Sequence, residues 1–146
     1  WNYRLTDIQS ALGLSQLRRL DEFLERRREL AARYHETLSC LPFSEFFSLP
    51  FAHPGHAWHL YVLRFHVTGL RDKAHRFLKK RGIHTQIHYV PVYRHPYYEQ
   101  RYGKIRLPGA ESFYESCLSI PLFPKMTDAE QDRVIQTLAD FVVKIQ

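Results

Sequence analysis

Three short stretches of this sequence hold side chains whose types and spacing could do chemistry. Asn2-Tyr3-Arg4 stands just ahead of a helix start at Thr6. An amide, a phenol and a guanidinium beside the positive end of a helix make a natural phosphate-binding group. Plain exposed end residues are the simpler alternative, and spacing alone favours it. The second stretch, His88-Tyr89-Val90-Pro91-Val92-Tyr93, closes a predicted strand with a proline-fixed loop. Such a loop can present the polar tips of His88, Tyr89 and Tyr93 to a ligand, although ordinary packing explains the same residues. The third pairs Leu107-Pro108-Gly109-Ala110-Glu111 with Ser119-Ile120-Pro121-Leu122-Phe123-Pro124. Its prolines read as structural punctuation.

Other chemistries find less support. Nine histidines invite a metal reading, with His56 and His59 three apart and His84 and His88 four apart. On a strand, however, positions four apart are separated by about 13 Å. A zinc ion, with bonds of about 2 Å, cannot join them. No cysteine flanks either pair, and no metal site is expected. Cys40 and Cys117 carry no nucleophile signature; two buried free thiols are expected rather than a disulfide. The glycines are scattered and form no phosphate loop. Tyr93, Tyr97, Tyr98 and Tyr102 on a basic chain would suit stacking against bases. No nucleic-acid-binding motif accompanies them, and packing against a sheet edge is the expected role.

These residues need elements to position them. Thr6-Asp7-Ile8-Gln9 is a capping box, and apolar residues from Ile8 to Leu38 recur at steps of three and four. They predict one long helix ending near Leu38. Gly13 inside it suggests close packing against another backbone. Arg26-Arg27-Arg28 reads as a solvated face. Residues 39–57, with Pro42, Pro50, Pro54 and Gly55, read as a loop. Strands are expected at His59–Val67, Ile83–Tyr89 and Leu118–Leu122. Helices are expected at Leu70–Arg81, stopped by Gly82, from Pro108 onward, and from a second capping box at Thr127 to the C-terminal end. Tyr93–Tyr102 reads as a loop with a helical turn. The order, one long helix and then alternating strands and helices, gives an α/β fold. A two-layer sandwich with a small sheet is expected. Residues 1–38 would form the long helix and 39–146 the α/β domain.

Composition sets the frame. The chain has 146 residues, 45% hydrophobic, enough for one sizeable core. Lys and Arg exceed Asp and Glu by 21 to 15, a formal charge of +6, which favours anionic partners. No apolar run approaches the ~20 residues of a membrane helix, no signal peptide is visible, and a cytoplasmic protein is expected. The chain opens on Trp1 rather than a methionine, which reads as a start inside a longer protein.

Taken together, the motifs resemble one family. Residues 2–17 (Asn-Tyr-Arg-Leu-Thr-Asp-Ile-Gln-Ser-Ala-Leu-Gly-Leu-Ser-Gln-Leu), Trp-His-Leu-Tyr-Val at 58–62, Gly-Ile-His-Thr-Gln-Ile-His-Tyr-Val-Pro-Val-Tyr at 82–93, Ala-Glu-Ser-Phe-Tyr at 110–114 and Leu-Ser-Ile-Pro-Leu-Phe-Pro at 118–124 resemble, in order, the DegT/DnrJ/EryC1/StrS aminotransferases. The stretch 86–93 is most similar to the pseudaminic-acid branch. The resemblance implies the C-terminal small domain of a fold-type I aminotransferase, with a mainly antiparallel sheet, working as a homodimer. It implies pyridoxal phosphate (PLP) as cofactor and transfer of an amino group from glutamate to a 4-keto UDP-sugar in bacterial surface-glycan biosynthesis. It implies that Asn2 and Arg4 serve the cofactor's phosphate side, and that His88, Tyr89 and Tyr93 line the sugar-nucleotide pocket. The family's Schiff-base lysine, in a Ser-x-His-x-x-Lys setting, lies upstream of the Asn-Tyr-Arg stretch. None of Lys73, Lys79, Lys80, Lys104, Lys125 and Lys144 stands in that setting, so the 146 residues alone are expected to be inactive. A non-catalytic assembly or dimerisation module is the alternative, and a basic nucleic-acid-binding domain a more distant one; no membrane or nucleic-acid partner is implied.

Overall fold

Two capping boxes start the first and last helices. In each, a threonine hydroxyl accepts the backbone N–H three residues on, and the side chain there returns to the threonine N–H: Thr6 with Gln9, and Thr127 with Glu130. The computed structural model describes residues 3–40 and 42–146. Helices α1 (Asp7–Leu17) and α2 (Leu20–Leu38) are followed by a short α3 (Phe43–Phe46) and strands β1 (Phe47–Ser48) and β2 (Tyr61–Phe65). Then come α4 (Leu70–Lys80), a 3-10 turn at Val92–Arg94, α5 (Pro96–Tyr102), α6 (Pro108–Ser116), β3 (Cys117–Ile120) and α7 (Asp128–Ile145).

The sheet is small and antiparallel, in the order β1-β2-β3. Phe47 faces Phe65 across the first pair, and Tyr61 to Arg64 face Ile120 to Cys117 across the second. Side chains alternate along β2, so Tyr61, Leu63 and Phe65 are buried while Arg64 is exposed. Their partners Leu118 and Ile120 join them in one core with Leu30, Tyr34 and Leu38 of α2, Ala74 and Leu78 of α4, and Leu138, Phe141 and Val142 of α7. The expected α/β architecture is present, with helices packed on a small antiparallel sheet.

Several local expectations need correction. The long helix breaks at Arg18-Arg19, where the Arg19 N–H shortens its reach to Gln16 O before α2 begins. Among the described residues nothing beyond its own helix backbone and chain neighbours lies within 4 Å of a Cβ built at Gly13, and α1 buries none of its residues, leaving Ile8, Leu12 and Leu17 exposed. The loop at 39–57 holds α3 and β1, because Phe43 and Phe47 fold back into the core. Among the described residues the segment 83–89 forms only one backbone bridge, Gln86 with Ser119, although Ile83 and Thr85 alternate inward as on a strand. Cys117 is buried as expected, but Cys40 is exposed. Among the described residues no helix is long and apolar enough to cross a membrane.

The arginine run is not a solvated face. Arg26 donates to Met126 O at 2.8 Å and to Asp128 Oδ1 at 2.7 Å. Arg27 donates to Trp58 O at 2.8 Å, His59 O at 3.1 Å and Leu122 O at 3.2 Å. Only Arg28 stays on the surface, paired with Glu25. Burial pulls Arg27 below the usual guanidinium range. One cation thus gathers two loop ends onto α2. It also holds Trp58 at φ 49°, a left-handed conformation that costs a bulky residue about 1–2 kcal/mol. Arg27→Met keeps the stem and removes the donors. It should lower stability by about 2–3 kcal/mol, the scale of a hydrogen bond to a charged group. Urea unfolding checks this, and a loss below about 0.5 kcal/mol would show that the carbonyls find other partners.

Candidate functional site

The sheet face opposite the main core is where the chemistry-bearing residues gather. Cys117 and Ser119 alternate with Leu118 and Ile120 and so point away from the main core. Both are nevertheless buried, because segment 86–88 lies against them. Ser119 exchanges both backbone bonds with Gln86, at 3.0 and 2.8 Å. Its hydroxyl oxygen lies 2.8 Å from His88 Nδ1. The Cys117 thiol reaches His88 O and Tyr114 O, each at 3.8 Å. Burial raises the Cys117 pKa, which keeps the thiol protonated and structural.

From this anchor the loop turns outward. The His88–Tyr89 peptide is cis, and the two rings stand edge to face at 4.5 Å. Tyr89 is 73% exposed, so its phenol is presented rather than packed. Tyr93 is half-buried and donates to Glu111 Oε1 at 2.8 Å, while Arg94 donates to Glu111 Oε2 at 3.0 Å. Glu111 therefore clamps the loop from α6. Desolvation, then the hydrogen bond to Glu111 and its charge, raise the Tyr93 pKa.

The Arg71 and Arg94 guanidinium groups both lie over the Tyr114 ring, at 5.4 and 5.5 Å. Arg71 is buried, and its Nε lies 2.8 Å from Asp72 Oδ1. That contact is an ion pair without hydrogen-bond alignment, and Nη1 has no hydrogen-bond partner among the described residues.

Beside this loop an open groove of about 920 Å³ runs over the sheet, lined by Ser48, Val62, Arg64, Phe113 and Glu111 among others. Glu111 belongs to both features, facing the groove and holding Tyr93. The structure thus brings His88, Tyr89 and Tyr93 onto one loop. Arg4 is exposed ahead of α1, and Asn2 lies outside the described residues. Tyr97, Tyr98 and Tyr102 do not pack on a sheet edge: Tyr98 stacks on Tyr102, Tyr97 meets Tyr98 edge on, and Arg101 donates to the Tyr97 hydroxyl. Helix α5 is only seven residues long, and its tyrosines lie along its outer surface. Sequence reasoning missed Gln86, Ser119 and Glu111. Ser119 and Glu111 lie in the stretches whose prolines read as structural punctuation. Among the described residues no three His, Cys, Asp or Glu side chains cluster as a metal site.

The Glu111 clamp has a pH signature. Glu111→Gln removes a charge and weakens the bond to Tyr93, so the Tyr93 pKa should move down toward the ordinary phenol range. A carbon-13 NMR titration of labelled tyrosines measures this. An unchanged Tyr93 would mean that burial alone sets its acidity.

Comparison with known proteins gives this loop and groove a context. The DegT/DnrJ/EryC1/StrS aminotransferase family model matches residues 1–139. The fold is similar to Helicobacter pylori PseC, an aminotransferase involved in the biosynthesis of pseudoaminic acid. That match has TM-score 0.87 and 30% identity, and covers 97% of this chain and 38% of that one. It is similar to the aminotransferase TlmJ from Streptoalloteichus hindustanus, with TM-score 0.86 and 31% identity over 96% of this chain and 37% of that one. It also resembles S. venezuelae DesV, solved in complex with a ketimine intermediate, with TM-score 0.83 and 35% identity over 94% and 37%. The chain spans less than two fifths of each of these proteins. With the family model covering nearly all of it, and the sheet, capped helices and His-Tyr loop described above, the chain belongs to the DegT/DnrJ/EryC1/StrS aminotransferase family.

Proposed function

We propose that this chain supplies the nucleotide-sugar side of a PLP-dependent sugar aminotransferase site. The observation that carries this reading is the loop at 86–93. It is pinned to β3 at Gln86 and His88, clamped by Glu111 at Tyr93, and left open at Tyr89. A pre-set loop with the His88 imidazole and the open Tyr89 phenol can meet the carbonyl and phosphate oxygens of a UDP-sugar, while the Tyr93 oxygen, its hydrogen given to Glu111, can accept from a sugar hydroxyl, all with little ordering cost. The chain's net charge of +6 favours approach of that anion. In the whole enzyme the substrate would be a 4-keto UDP-sugar and glutamate the amino donor, in a pseudaminic-acid-like surface-glycan pathway. Two free cysteines suit a reducing cytoplasm.

The cofactor fits this chain only in part. Arg4, with Asn2 beside it in sequence, offers donors to a phosphate. All six lysines are exposed on α4, α7 or surface loops, and none lies in the 86–93 loop or lines its neighbouring groove. These residues therefore do not supply the covalent attachment of PLP. The part they play is binding and orientation. The exposed apolar residues of α1, Ile8, Leu12 and Leu17, favour burial in a homodimer, which is the assembly reading of the same chain.

Titration of the labelled chain with UDP and with a UDP-sugar, followed by NMR, tests the substrate assignment. Saturable shifts at His88, Tyr89 and Tyr93 are expected, with affinity in the roughly millimolar range or tighter. His88→Ala should weaken binding about tenfold. Shifts confined to Arg64 and Arg106, which both line the groove, would move the site there. No saturable binding would remove the reading.

A further inference from the structure

We propose that Ser119 sets the tautomer of His88, so that the imidazole offers its Nε2–H to a ligand as a hydrogen-bond donor. The inference rests on the placement of His88 in the substrate loop, and it adds the direction of its hydrogen bond. Ser119 is 5% exposed, and its hydroxyl oxygen has a single hydrogen-bond contact among the described residues, His88 Nδ1 at 2.8 Å. Two arrangements fit that distance. In one, Nδ1–H donates to the hydroxyl oxygen, and the hydroxyl hydrogen is then left buried with nothing to accept it. In the other, the hydroxyl donates to a bare Nδ1, and the buried hydroxyl hydrogen is met. An unmet buried donor is the more costly outcome, so the second arrangement prevails.

The polar groups nearest Ser119 on β3 are already engaged. Its N–H and C=O are both committed to Gln86. The neighbouring Cys117 thiol is committed to His88 O and Tyr114 O. With Nδ1 bare, the neutral ring carries its proton on Nε2, and Nε2 has no hydrogen-bond partner among the described residues. The ring is half-exposed and stands against Tyr89. A ligand meeting His88 thus meets a donor, which selects an acceptor atom: a phosphate, carbonyl or ring oxygen. Ser119 is a positioning residue acting through His88.

Long-range proton–nitrogen NMR of the histidine-labelled chain reads the tautomer directly. The expected pattern is a pyridine-like Nδ1 and a pyrrole-like Nε2 on His88, in about tenfold or greater excess. Ser119→Thr should keep the pattern. Ser119→Ala should bring the two nitrogens toward averaged shifts and weaken UDP binding several-fold, with the β2 and β3 amide signals unmoved. A pyrrole-like Nδ1 in the unsubstituted chain would overturn the proposal. So would a Ser119→Ala variant that is folded and unchanged in both tautomer and affinity. If Ser119→Ala fails to fold, the Ser119→Thr comparison and the unsubstituted pattern still decide. If the tautomer is as stated but UDP leaves His88 unshifted, the substrate reading falls and the Ser119 assignment stands.

Discussion

Strand β3 has no exposed face and no free edge at its centre. Leu118 and Ile120 sink into the core, while Cys117 and Ser119 are covered on the other side. Strand β2 pairs along one edge and Gln86 along the other. The remaining architecture follows from that enclosure. The helices α2, α4 and α7 bury one face, and the 86–88 segment closes the other. A four-residue strand is short by the usual measure, and it holds because all four of its residues are buried and its central residues pair on both sides.

The same enclosure links fold to function. His88 sits on a segment bonded to β3 by backbone, hydroxyl and thiol together. Its neighbour Tyr89 is outside every such bond and is exposed. A rigid base and an open tip on adjacent residues is the arrangement a binding loop needs, since order at the base reduces the entropy lost on binding. Farther along, Glu111 holds Tyr93 and Arg94, so both ends of the loop are fixed. The 86–93 loop is therefore built on fixed supports, while the Arg4 end of the chain leads into a helix with no buried residue.

Much of this architecture was legible in the sequence. The two capping boxes, the Gly82 stop, the Pro108 helix start and strand 61–65 depend on neighbours within a few residues, and local spacing encodes them. The arginine run was misread because the partners of Arg26 and Arg27 lie in loops far along the chain. Segment 83–89 has the alternation of a strand, but β3 offers it only one bridging residue. The same distance hid the site's supports. Nothing near His88 in sequence points to Ser119, and nothing near Tyr93 points to Glu111. The motif residues themselves were visible through the family resemblance, while the contacts that orient them needed the fold.

The central claim is that the 86–88 segment belongs to the folded core through β3. Amide hydrogen exchange of Gln86 tests it most directly, because that N–H donates to Ser119 O at 3.0 Å at the edge of the sheet. Protection of Gln86 within about tenfold of the β2 amides is predicted, as expected of groups that open in one cooperative unit. Exchange as fast as at the exposed Tyr89 would contradict the account and leave His88 on a free loop.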